Sequence, residues 1–253
     1  MKITRAVVPS LFTTLNVFCG FLSLLNAHHG RIEMAAWFIL LAAVFDTLDG
    51  MMARITKSTS QFGVELDSLA DVVSFGAAPS FLVYMAGMNA YENWGIIVSS
   101  MPLVFGAIRL ARFNSQLVGF DKDYFRGLPI PAQAIALCAF FLETYGENGL
   151  STMGKMSLAP MTILLSLLMV STIKYDTLPR PSRRVFSQHP IKMVGFSVAV
   201  LVVIFSKGQL LFLLTIAFIL FGVARSFVQW LRKQATVLEK DEDEETEIQS
   251  IDI

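Results

Sequence analysis

The sequence predicts an all-α integral membrane protein with about eight transmembrane helices. The chain of 253 residues is 54% hydrophobic, and its mean hydropathy is +0.59. A soluble domain of this length carries more charge and fewer long apolar runs. Several of the apolar runs approach or exceed the ~18 residues that a membrane-spanning helix needs. These features favour one helical membrane domain over residues 1–236.

Eight apolar segments account for the predicted helices. The first segment is followed at once by others and lacks a small-residue cleavage site, so we interpret it as a retained helix and not as a signal peptide. Lys207-Gly208-Gln209 alone separates the last two segments, which implies a tight turn between them. The predicted segments are 8–27, 32–49, 67–88, 93–111, 128–145, 156–173, 191–206 and 208–230.

The distribution of positive charge predicts the orientation. With eight helices, seventeen of the twenty lysines and arginines fall on one side of the membrane. Because positively charged loops stay in the cytoplasm, we predict a multi-pass protein of the cell (inner) membrane with both termini cytosolic. Residues 239–252 hold eight acidic residues and one lysine. We therefore predict a disordered acidic cytosolic tail over residues 237–253.

Four aspartates lie in the stretch DTLDGMMARITKSTSQFGVELDSLAD, residues 46–71. Asp46 and Asp49 are expected at the cytosolic end of the second helix, and Asp67 and Asp71 at the cytosolic start of the third. Spacings of three and four put each pair on one helix face. Because an aspartate at the centre of a membrane helix costs about 2.5–3.5 kcal/mol, such a cluster indicates a bound cation. Carboxylate ligands favour Mg²⁺, Mn²⁺ or Ca²⁺, and four of them suit two ions that clamp a phosphate.

Small residues and an arginine accompany the acids. Gly50 and Ala53 share the face of the second helix with the acids and leave room for a ligand. Arg54 has a planar guanidinium suited to phosphate. Gly63 permits a close contact before the third helix. The stretch therefore indicates phosphoryl chemistry, in a cytosolic active site, on a substrate carried by the membrane.

The spacing of these eight residues resembles the signature of the CDP-alcohol phosphotransferase family. The resemblance implies a six-helix core, here with two further C-terminal helices, and a homodimer. It also implies two divalent cations, Mg²⁺ or Mn²⁺, held by the four aspartates, with Asp71 as the general base. An alcohol then attacks the phosphorus distal to cytidine, and CMP leaves. The residues implied to contact the CDP group are Gly50, Ala53, Arg54 and Gly63.

Flanking stretches resemble one branch of the family, the membrane-embedded phosphatidylserine synthases. They are PSLFTTLNVFCGFLS (9–23), DSLADVVSFGAAPS (67–80), IRLARFN (108–114) and GLPIPAQA (127–134). The resemblance implies that CDP-diacylglycerol and L-serine are the substrates. The expected surroundings are membrane lipids, and no nucleic-acid partner is expected.

Polar residues in these stretches are further candidates for substrate contacts. Arg109 or Arg112 is expected to hold the serine carboxylate or the lipid phosphate, with added contacts from Ser74 and Asn114. Thr13 and Asn16 are candidates to face cytosine, although helix packing explains them equally well.

The sequence leaves two alternatives open. The same chemistry can serve another acceptor alcohol, such as glycerol 3-phosphate, inositol or choline. Acidic residues in a helical membrane protein also mark cation transporters. A transporter, however, is expected to carry its acids near the bilayer midplane, often on broken helices.

Overall fold

The computed structural model describes residues 7–56, 60–116, 125–175, 210–226 and 228. The helices are α1 (Val7–His28), α2 (Ile32–Thr56), α3 (Gln61–Asp71), a π-helical segment (Val72–Ala77), α4 (Ala78–Ala86), a 3₁₀ turn (Met88–Tyr91), α5 (Glu92–Gln116), α6 (Ile130–Thr144), α7 (Thr152–Val170) and α8 (Leu210–Ser226). The short strands are β1 (Phe125–Arg126), β2 (Tyr145–Gly146), β3 (Gly149–Leu150) and β4 (Lys174–Tyr175).

The predicted class, a helical multi-pass membrane protein, is confirmed. Within the described ranges, five helical stretches are long and apolar enough to cross a membrane, and α6 and α8 are shorter apolar helices. One of the five is the continuous rod from Gln61 to Ala86. The seventh predicted segment, 191–206, and the predicted tail, 237–253, lie outside the described residues. The total of eight spans and the domain division at residue 236 therefore stay predictions.

Among the described helices, α1 and α2 form the most extensive pair. A short turn joins them, in which Gly30 has φ 73°. Ala27, Ala35 and Ala36 are fully buried. Small side chains let membrane helices approach closely, so the position of α2 is closely tied to that of α1.

The acidic stretch is more helical than predicted. Helix α2 continues past Asp49 to Thr56, because residues 51–54 (MMAR) are good helix formers. Helix α3 begins at Gln61, where the Ser60 Oγ caps it by accepting the Gly63 N–H at 3.0 Å. The aspartates of α2 and Asp67 therefore lie inside helices, not at helix ends. The predicted segments ended at residue 49 and began again at residue 67, whereas α2 and α3 are separated only by residues 57–60.

The rod that carries Asp67 and Asp71 changes its winding immediately after Asp71. The backbone is π-helical from Val72 to Ala77, and the Ala78 N–H donates to the Val73 carbonyl five residues earlier. Three consecutive residues, 74–76, are buried there. The segment packs against α1, α5 and α6. π-helical turns in α-helices occur frequently at functional sites.

The loops after α5 and α7 are tied together on the acidic side of the bundle. Strands β1 and β4 pair in antiparallel orientation, and the Gly127 N–H donates to the Ile173 carbonyl at 2.8 Å. Gly127 has φ +85°, and a Cβ there would overlap the Met169 carbonyl oxygen. This contact requires glycine and holds the start of α6 against the end of α7. Strands β2 and β3 form a separate hairpin between α6 and α7.

Candidate active site

Three of the four aspartates meet at one point between α2 and α3. Carboxylate oxygens of Asp46, Asp49 and Asp67 all lie within 4.8 Å of one another. Asp46 and Asp49 are one turn apart on α2, and Asp67 approaches from α3. Asp49 is only 6% exposed. The two helix faces therefore converge as the spacing predicted.

Asp71 completes the acidic group. It lies one turn after Asp67, is 9% exposed, and interacts electrostatically with the other three carboxylates. The Arg109 guanidinium, from α5, is close enough to interact with it. Asp71 thus lies between an acidic cluster and a positive charge.

Several carboxylate oxygens of the cluster are available to bind a ligand. Among the described residues, Asp49 Oδ2, Asp67 Oδ1 and Asp71 Oδ1 are buried without a hydrogen-bond partner. A buried, unpaired carboxylate oxygen is costly, and closely spaced like charges add to that cost. The donor set is entirely oxygen and anionic, which fits a hard divalent cation.

A cleft opens beside the acids, between α1, α2 and α3, with a volume of about 110 Å³. Its lining residues are Pro9, Ser10, Thr13, Asp49, Gly50, Ala53, Ser60, Gly63, Val64 and Asp67. Four predicted ligand contacts, at positions 13, 50, 53 and 63, therefore meet in one place. A Cβ added to Gly50 would find no heavy atom within 4 Å, so this glycine leaves open space next to the acids.

Two other predicted contacts for the CDP group are placed differently. Asn16 is fully buried and lies outside the residues that line the cleft. Neither polar atom of its side chain has a hydrogen-bond partner in the described part of the chain. The backbone of Arg54 belongs to α2, and its side chain lies outside what the structure describes. Their roles in binding stay predictions.

Helix α5 and the π-helical segment carry the predicted contacts for serine or lipid phosphate. Arg109 is 6% exposed beside Asp71. Arg112 Nη1 donates to the Val170 carbonyl at 3.3 Å, at the end of α7. Asn114 Nδ2 donates to Ser68 Oγ at 2.9 Å and joins α5 to α3. Ser74 is fully buried, and its role as a ligand contact stays a prediction.

Sequence reasoning missed two polar residues. Ser60 lines the cleft and caps α3. A serine immediately before a predicted helix is an available capping signal. Gln133 is fully buried in α6, and both of its side-chain polar atoms lack a partner among the described residues. A lone glutamine inside an apolar helix is a signal that sequence reading could have used.

The four acids, the adjoining cleft and the helical bundle define a membrane-embedded phosphotransferase of known type. The chain belongs to the CDP-alcohol phosphatidyltransferase family, which it matches over residues 6–173. This confirms the family that the spacing of the aspartates predicted.

Relatives within the family are more specific. The chain is 40% identical over 167 residues to CDP-diacylglycerol–serine O-phosphatidyltransferase from Helicobacter pylori. The aligned region covers 66% of this chain and 70% of that protein. The chain is 38% identical over 177 residues to archaetidylserine synthase from Methanothermobacter thermautotrophicus, covering 69% and 72%. The CDP-diacylglycerol–serine O-phosphatidyltransferase of Bacillus subtilis is 34% identical over 168 residues, covering 66% and 89%.

The crowding of the acids predicts an unusual stability change for Asp49→Asn. Without metal, the variant should unfold at a higher temperature than the unchanged protein, because one of four repelling charges is removed. A gain of about 1 kcal/mol corresponds to roughly 2–4 °C in Tm. Adding Mn²⁺ should raise the Tm of the unchanged protein, since a ligand that binds the folded state stabilises it. It should barely move the Tm of the variant.

Thermal unfolding in EDTA and in excess Mn²⁺ measures both effects. Glu33→Gln is the matched control, because Glu33 is an exposed acid in the first turn of the same helix. That variant should respond to Mn²⁺ as the unchanged protein does. A lower Tm for Asp49→Asn in EDTA, together with an unchanged response to Mn²⁺, would contradict the assignment of these acids as a cation site.

Proposed function

We propose that the protein transfers the phosphatidyl group from CDP-diacylglycerol to the hydroxyl of L-serine, giving phosphatidylserine and CMP. The observation that carries the proposal is the cluster of Asp46, Asp49 and Asp67 beside a cleft lined by small residues. The names of the relatives, two serine phosphatidyltransferases and an archaetidylserine synthase, support serine as the acceptor.

The cleft is the proposed site of the CDP group. Thr13, Gly50, Ala53 and Gly63 line it, and its open space at Gly50 adjoins the acids. A diphosphate there would lie directly against the carboxylate cluster, which requires compensating positive charge. Arg54, on the same helix, is proposed to supply part of that charge.

The four aspartates are proposed to hold two divalent cations, Mg²⁺ or Mn²⁺, with Ca²⁺ a third candidate. When bound, such ions offset the charge of the diphosphate and make CMP a better leaving group. The unpartnered oxygens of Asp49, Asp67 and Asp71 are the atoms available for this role.

Asp71 is proposed to accept the proton of the attacking alcohol. The serine hydroxyl oxygen forms a new bond to the phosphorus of the phosphatidyl group as the bond from that phosphorus to CMP breaks. The hydroxyl proton passes to the Asp71 carboxylate. Arg109 supports this arrangement, because its charge beside Asp71 offsets the repulsion from the other acids and orients the carboxylate.

Arg112 is the better candidate for the serine carboxylate. The charge of Arg109 is already directed towards Asp71. Arg112 lies one turn further along α5, and its Nη2 is buried without a partner in the described part of the chain. When the hydroxyl of the substrate serine lies at Asp71, its carboxylate is proposed to bind the Arg112 guanidinium. Asn114 remains a proposed secondary contact.

The cellular setting is proposed from the charge distribution. The active site is placed at the cytosolic face of the cell membrane, because the arginines of α5 and most other positive charges share its side in the predicted topology. A homodimer is proposed from the family resemblance. A cation transporter is disfavoured, since the chain belongs to a family of phosphatidyltransferases.

Acceptor profiling tests the proposed reaction. Purified protein with CDP-diacylglycerol and Mn²⁺ or Mg²⁺ should release CMP when L-serine is added. Asp71→Asn should abolish turnover and still bind the CDP-lipid, because the cleft is lined by other residues. Release of CMP with inositol, glycerol 3-phosphate or choline, but not with serine, would overturn the acceptor assignment.

A change at Arg112 tests the carboxylate assignment. Arg112→Gln should raise the KM for serine by about 10- to 100-fold, the range expected when a charge-assisted hydrogen bond is lost. Affinity for CDP-diacylglycerol should change little, and Arg112→Lys should restore part of the loss. Arg31→Gln, at the exposed turn before α2, is the charge-matched control. A serine KM that does not respond to Arg112→Gln would contradict the assignment.

A further inference from the structure

Two residues outside the family signature meet beneath the acidic cluster. Ser74 is fully buried in the π-helical segment, and its Oγ donates to the main-chain carbonyl of Asn16 in α1 at 2.9 Å. Gly20, one turn further along α1, faces the same serine. A Cβ built on Gly20 would lie 2.5 Å from Ser74 Oγ and 2.9 Å from Ser74 Cα.

This contact permits only small residues. A Cβ at 2.5–2.9 Å from other heavy atoms requires a shift of one helix, because part of the obstacle is the backbone of residue 74. The opposite side of the segment is also crowded, since a Cβ on Gly76 would lie 3.2 Å from Leu103 of α5. The π-helical segment is therefore wedged between α1 and α5 with little room to move.

The contact lies three residues beyond Asp71, where the winding changes from α to π. When the rod is fixed at Ser74, its position along its axis and its rotation about that axis are also fixed at Asp71 and, one turn earlier, at Asp67. The other two acids, Asp46 and Asp49, belong to α2, which packs most extensively against α1. Helix α1 thus contacts both helical segments that carry the acidic cluster and relates one to the other.

We infer that Gly20 and Ser74 are positioning residues that set the distance between the two pairs of aspartates. The Ser74 hydroxyl bonds to the backbone of α1, and Gly20 allows the close approach. The inference depends on the proposed function only for the presence of a divalent cation site. In this role Ser74 positions the aspartates of the cation site and does not contact the substrate serine.

Affinity for Mn²⁺ in the absence of any substrate tests the inference. The dissociation constant is measured on the full chain in lipid nanodiscs, from the electron paramagnetic resonance signal of free Mn²⁺. Ser74→Ala should weaken Mn²⁺ binding by about two- to tenfold, the range of one buried hydrogen bond, and leave the KM for serine unchanged. Gly20→Ala should weaken Mn²⁺ binding at least as much.

The double variant gives the sharpest result. Because Ser74 Oγ is the atom nearest to a Cβ at position 20, Gly20→Ala combined with Ser74→Ala should bind Mn²⁺ no more weakly than Gly20→Ala alone. Independent effects would instead multiply. Ser166→Ala is the matched control for a buried serine, since its hydroxyl bonds within its own helix. Gly154→Ala is the control for a crowded helical glycine away from the acids.

Three outcomes would overturn the inference. The first is unchanged Mn²⁺ affinity in Ser74→Ala. The second is a raised KM for serine at unchanged Mn²⁺ affinity, which would make Ser74 a substrate contact. The third is a loss of Mn²⁺ affinity of the same size in the control variants. If Gly20→Ala fails to fold, the titration of Ser74→Ala decides alone. Failure of serine transfer would leave the Mn²⁺ titration, and this inference, unaffected.

Discussion

Electrostatic repulsion among closely spaced carboxylates, all of them buried or half-buried, is the constraint on which the site depends. Oxygens of Asp46, Asp49 and Asp67 lie within 4.8 Å of one another, and Asp71 lies next to them with the Arg109 guanidinium as its nearby positive partner. A protein does not gain stability from such an arrangement. The cluster is therefore explained by what it binds, and the neighbouring helices hold it together against its own charge.

The surrounding structure supplies that restraint through close helix contacts. The extensive packing of α2 against α1 holds two of the acids in place, and the contact of Ser74 with α1 fixes the helical rod that carries the other two. The tie between Gly127 and the end of α7 positions the start of α6. Each contact relies on a small side chain, because backbones must approach closely where no hydrophobic force drives helices together in lipid.

Much of this could be predicted from the sequence, because the governing patterns are local. Long apolar runs identify membrane helices, and spacings of three and four residues place the aspartates on facing helix surfaces. Gly50, Ala53 and Gly63 were predicted beside the ligand, and they line the cleft. Local pattern also explains what was misjudged: the second predicted segment ended at residue 49, whereas the helix propensity of residues 51–54 extends α2 to Thr56.

Other features depend on contacts between residues distant in the sequence. The π-helical winding after Asp71 has no local sequence signal, since it reflects packing between α1, α5 and α6. The meeting of Gly20 with Ser74 joins residues more than fifty positions apart. Sequence reading could single out Ser74 as polar but could not assign its partner. The same holds for Arg112, whose bond to Val170 requires the arrangement of α5 against α7.

Anomalous diffraction from crystals soaked in Mn²⁺ tests the central claim most directly, because it locates the ion without any assumption about turnover. We expect anomalous density surrounded by the side chains of the four aspartates, beside the cleft that Gly50 leaves open. Side chains that point away from one another around a site without Mn²⁺ density, under conditions where the enzyme is active with Mn²⁺, would contradict the account.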